Sequence, residues 1–228
     1  VKRFVWIYPE WWTLALSAAA WVVLVAQFLQ TDATPHHHGE ITEVWITNLS
    51  HWLLMVVAMM FPAVVGPVHG TAIRSLWRRR HRAIAGFLLG YVAVWMAAGI
   101  VVIATIARWR LDSAAAYVAA GFAAAALWQL TPVKRRALRA CHRAMPLAPQ
   151  GWRADMDCLR YGSAMGVYCL ASCGVLMLAC SLAGHSLPAM LGAAALGVVE
   201  RYGPRVSERM ILGAICSFAA VYMIASLP

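Results

Sequence analysis

The sequence predicts an all-α fold: a polytopic membrane helix bundle of about seven transmembrane helices, with the N-terminus inside and the C-terminus outside. Three observations predict it. Hydrophobic residues make up 62% of the 228 residues and charged residues only 12%, against about 45–50% and about 25% in a soluble domain. Apolar runs near the ~20 residues needed to cross a bilayer recur along the chain. Basic residues cluster between alternate pairs of those runs, as cytoplasmic loops require. The same composition excludes disorder, which needs more charge and less apolar surface.

The spans fall at about residues 11–30, 44–68, 83–107, 114–130, 161–183, 187–200 and 210–227. No small-residue cleavage site follows the first run, so it reads as a span rather than a signal peptide. The second contains Pro62, which removes a backbone hydrogen bond and frees a carbonyl one turn earlier. The third follows an arginine cluster, and the Ala-rich fourth lies close behind it. The fifth opens with Gly162 and Gly166, a spacing that permits close helix contact. The sixth is short, with Pro188 near its start; tilting, local thinning or burial inside the bundle would accommodate it. The seventh ends outside. A single membrane domain over residues 1–228 is expected, with an outer His-rich loop at 31–43 and an inner basic loop at 131–160.

Charge placement sets the orientation. With the N-terminus inside, all of the 19 Lys and Arg except Arg108 and Arg110 lie on the inner side. The net charge of +10 then reads as attraction to anionic lipid, about 1 kcal/mol per residue near the surface, and not as a nucleic-acid surface. Trp11, Trp12, Trp45, Trp109 and Trp152 fall near the predicted interfaces, where amphipathic rings anchor spans. Six cysteines, most in apolar runs, do not make a disulfide scaffold.

The chemistry-bearing residues are soft donors. His36, His37 and His38 stand together in the outer loop, with Glu40 and Glu43 nearby. Neutral imidazoles are borderline metal ligands, so acid would weaken capture there. In the second span His51, Met55 and Met59 recur every four residues, followed by Met60. That spacing places an imidazole and two thioethers on one helix face. Thioethers are neutral and soft, suited to Cu(I), although methionine also serves as apolar filler. In the fifth span Met165, Cys169, Cys173 and Met177 recur at the same spacing, with Cys180 three further on. Cys169 and Cys173, one turn apart, are close enough to share a metal. His185 lies in the outer turn that follows. Cys141 and His142 with Cys158, and the pair Glu200 and Arg201, are weaker candidates at the inner side. His69 and His81 flank the arginine cluster and are expected to face headgroups. No phosphate loop, HExxH motif or Ser-His-Asp arrangement occurs, so no enzyme is indicated.

These residues resemble a bacterial family of polytopic membrane proteins described as predicted metal-binding integral membrane proteins, some of them copper chaperones. The resemblance runs from the second span to the sixth. It is carried by Trp52, Met55 and Ala58-Met59-Met60 with Pro62, then by Gly90-Tyr91 with Trp95. Gln129, Thr131-Pro132, Lys134 and Cys141 follow. The last carriers are Cys169 and Cys173 with Leu176-Met177, then Gly184, Met190 and Glu200-Arg201. The family pattern usually has a third thiol where this chain has Ser172, an aromatic residue where it has Gly174, and a basic residue other than His142 after Cys141. The resemblance implies residence in the bacterial inner membrane.

The function expected is non-catalytic copper handling. The metal candidates are His36, His37, His38, His51, Met55, Met59, Met60, Cys169, Cys173, Met177 and His185. His36, His37, His38 and His185 would capture copper outside, and His51 with the sulfurs within the membrane would hold or pass Cu(I) to a membrane copper enzyme such as a terminal oxidase or monooxygenase. The alternative is a structural or accessory subunit of a larger membrane complex, docked through small-residue faces such as Gly162/Gly166 and Ala189/Ala193/Gly197. A haem or quinone protein, with His51 and His185 as axial ligands, is a third reading.

Overall fold

The computed structural model describes residues 8–31, 41–109, 115–148, 150–202 and 215. The His-rich segment 36–38 and, apart from residue 215, the expected seventh span lie outside these residues. Among the described residues all regular structure is helical, in eight α-helices: α1 (Trp11–Thr31), α2 (Ile41–Met60), α3 (Val65–Arg74), α4 (Arg80–Trp109), α5 (Ala115–Gln129), α6 (Pro132–Ala140), α7 (Gly151–Leu182) and α8 (Leu187–Tyr202).

Three helical stretches are long and apolar enough to cross a membrane: Trp11–Gln30, Trp77–Trp109 and Gly151–Leu182. Two bent pairs raise the number to five if each is one span. They are Trp45–Met60 with Pro62–Arg74, bent by 47°, and Ala115–Gln129 with Pro132–Ala140, bent by 72°. These helices mark the chain as a membrane protein. Their outward faces carry Val22, Leu29, Leu89, Val101 and Leu127, all well exposed, which suits contact with lipid tails. At 16 residues, α8 is about 24 Å long at ~1.5 Å per residue, shorter than the ~30 Å hydrocarbon layer.

The described residues form two compact units, one drawn from Val1–Gly99 and Cys141–Val167, the other from Ile100–Ala140 and Tyr168–Pro228. In the first unit α1 buries Thr13, Ser17, Ala20 and Leu24, a stripe at helical spacing. It packs against α2, where Pro62 breaks the expected second span. The proline has no N–H to give the carbonyl of Ala58. Ser17 Oγ donates to that oxygen at 2.7 Å and Trp21 Nε1 at 3.0 Å. At the start of α1, buried Glu10 is hydrogen-bonded to His69 Nδ1 at 2.9 Å, so the His69 ring is held by protein.

The small faces are used within the chain. A side chain at Gly162 would run into the backbone of Phe87, and one at Gly166 would meet Tyr91 and Val94. Close approach of α4 and α7 therefore requires both glycines, and this pair is not free to receive another helix. Ala189 and Ala193 are likewise buried. At Gly99 the missing side chain makes room for the Trp52 ring, whose Nε1 donates to the carbonyl of Trp95 at 2.8 Å.

The segment 131–160, expected as an inner basic loop, contains α6 and the start of α7. Asp155 binds Arg79 at 2.5 Å and Arg82 at 2.6 Å. Asp157 accepts from the amide of Ala148 at 3.0 Å. Cys141 and Cys158 are both buried.

Candidate functional site

In the first unit the helical spacing of α2 does bury the methionines. Met55, Met59 and Met60 are each 3% exposed or less, while His51 at the head of the stripe is only partly buried. Trp52 and Val56 fill the adjoining positions.

In the second unit α7 presents Cys169, Cys173 and Met177, all buried. Cys169 and Cys173 stand one turn apart on the same helix face. Ser172 Oγ donates to the carbonyl of Cys169 at 3.0 Å and lies 3.4 Å from Cys173 Sγ. The position where related sequences carry a third thiol is thus beside the sulfurs, filled by a hydroxyl. Cys180 is engaged differently: its Sγ donates to the carbonyl of Ala189 at 3.7 Å, joining α7 to α8.

At the end of α7 the chain turns through Gly184 (φ 62°) and His185 (φ 57°). The amide of His185 closes on the carbonyl of Cys180 at 3.0 Å, a helix stop normally built around one left-handed glycine. A second left-handed residue with a Cβ is strained, so backbone geometry fixes where the His185 ring begins.

A cluster that the residue pattern did not reveal lies in the same unit as the thiols. Lys134 Nζ and Glu200 Oε1 are 2.8 Å apart with side chains 3% and 4% exposed, and Gln129 Nε2 donates to the same oxygen at 2.8 Å. The sequence suggested an interfacial lysine after a proline-ended helix. Instead the chain bends by 72° and resumes. Thr131 Oγ1 accepts from the amide of Lys134 at 3.3 Å and Pro132 occupies the first helical position, which together start a new helix. That turn carries Lys134 into the interior. The available signal was an ionisable residue next to apolar runs, for which a buried partner should be sought.

Among the described residues, no three His, Cys, Asp or Glu side chains gather to hold a metal ion. Two or three sulfurs suffice to hold a soft monovalent ion, and Cys169 with Cys173 provides two, one turn apart.

Residues 49–225 match the profile of the PpoB2 family, described as copper chaperone. The chain belongs to this copper chaperone family. No curated protein and no solved structure matches the chain significantly. The family match covers the methionine stripe of α2, the thiol pair of α7 and the Lys134–Glu200 pair of this copper chaperone. Membership implies copper as cargo, a non-catalytic role and a partner that receives the metal.

Proposed function

We propose that the protein collects copper at the outer face of a bacterial inner membrane and holds or passes it as Cu(I) to a membrane copper enzyme. His36, His37, His38 and His185 capture the ion, and His51 binds or relays it. Cys169 and Cys173 bind it, with Met177 one turn away, and Met55, Met59 and Met60 form a thioether relay. The orientation follows from the basic residues, with the N-terminus inside. The observation that carries the reading is the buried pair of free thiols Cys169 and Cys173, one turn apart, in a chain of a copper chaperone family. A thiol pair removed from water and from other thiols is available to a soft ion and protected from casual oxidation.

The test is elemental analysis of detergent-purified protein loaded under reducing conditions. Wild type should retain about one copper per chain, and the C169S/C173S variant should lose it. An M55L/M59L variant should fold, since Leu for Met nearly conserves volume, but should deliver copper to an acceptor more slowly. Wild type without copper above background would move the assignment to an accessory subunit whose sulfurs pack. The bond from Cys180 to Ala189, a sulfur used in packing, is the observation that favours that second reading.

A further inference from the structure

We propose that Lys134, steadied by Glu200 and Gln129, is the counter-charge for Cu(I) held between the thiolates of Cys169 and Cys173. The inference rests on the copper reading above and extends it from the sulfurs to an ammonium group.

Lysine is almost never fully buried unless paired. Here it is paired, but a buried pair is a poor device for stability, because apolar replacements of similar volume do as well or better. The pair therefore calls for another use, and its surroundings indicate one. Trp128 Nε1 donates to the carbonyl of Ala171 at 2.9 Å, which fixes the end of α5 to the turn of α7 that carries both thiols. Gln129 and the bend at Thr131-Pro132 follow directly, so Lys134 and Glu200 meet next to that turn. The positive end of that pair is Lys134.

Binding creates the charge that this end would meet. One Cu(I) replaces the two thiol protons, which pass to solvent: Cu⁺ + 2 RSH gives [Cu(SR)₂]⁻ + 2 H⁺. Metal binding to thiols releases protons in this way generally. The product carries one net negative charge at a buried site, which is costly unless a cation is near. Lys134 is that cation. Glu200 holds it in place and offsets part of its field.

Three variants test the assignment: K134M/E200Q, E200Q and K134R. The double variant removes both charges and leaves neither orphaned, so it should fold. Its Cu(I) affinity, read by competition with a chromogenic chelator, should fall by roughly 10-fold or more, in the range typical of groups that support metal ligands. Its affinity for Hg(II) should stay unchanged, because a mercury bis-thiolate is neutral and needs no counter-charge. E200Q keeps the cation and should bind Cu(I) as tightly as wild type or tighter, and K134R should stay close to wild type. A distorted site would lose both metals together, and that result overturns the proposal. Unchanged Cu(I) affinity in a folded double variant overturns it as well, while leaving thiol-dependent copper binding intact. Absence of copper binding in wild type, or binding that survives C169S/C173S, overturns the copper reading itself.

Discussion

The hydroxyl of Ser172 lies 3.4 Å from the sulfur of Cys173 and is bonded to the carbonyl of Cys169 at 3.0 Å. A thiol at this position would put a third soft donor in the same turn of α7. S172C should raise Cu(I) affinity by at least about tenfold, or ~1.4 kcal/mol. X-ray absorption should show the sulfur count around copper rising from two to three. Unchanged affinity with two sulfurs would mean that Ser172 only caps its own helix.

The carbonyl of Ala58 takes hydrogen bonds from Ser17 and Trp21 because Pro62 gives it none. Removing one donor leaves the other, so S17A and W21F should each cost about 1 kcal/mol. The double variant strands a buried acceptor and should cost more than the sum. Unfolding in mixed micelles measures all three. Strict additivity would show that the kinked carbonyl finds water instead.

Gly162 and Gly70 make a matched pair. A methyl group at Gly162 meets the backbone of Phe87, which cannot yield as a side chain tip can, whereas nothing lies within 4 Å at Gly70. G162A should destabilise by about 1–3 kcal/mol. G70A, in a helix, should be neutral or slightly stabilising. Equal melting temperatures for the two variants would contradict the close approach of α4 and α7.

Two ion pairs of similar length should differ in worth. Asp155 sits between Arg79 and Arg82 with 30% of its side chain exposed, while Lys134 and Glu200 are almost wholly enclosed. D155N should cost no more than about 1 kcal/mol and less in high salt. K134M strands a buried carboxylate and should cost about 3–5 kcal/mol, largely recovered by adding E200Q. Salt-insensitive, equal losses at both places would refute the difference in burial.

The helices of this protein were legible because their signals are local. Apolar length marks α1, α4 and α7, and Pro62 marks the break after α2. The burial of Met55 and Met59 followed from their spacing. Lys134 was not legible, because a basic residue after a proline looks the same whether the chain leaves the bilayer or bends back. Only the fold brings Glu200 to it, 66 residues later. Gly162 and Gly166 were read as a contact face, but the pattern does not say whose helix fills it. That α4 of the same chain does so is a tertiary fact.

The pairing of Lys134 with Glu200 also has a consequence for biosynthesis. Chains emerge N-terminus first and their parts begin to fold as they appear. Lys134 is made 66 residues before the carboxylate that neutralises it, so α5 and α6 are complete while this charge has yet to meet its counterpart. The second unit can close only after α8 has been delivered. Ribosomal stalling or truncation before Glu200 therefore leaves a nascent product with an exposed cationic defect, a mark by which membrane quality control can tell an unfinished molecule from a finished one.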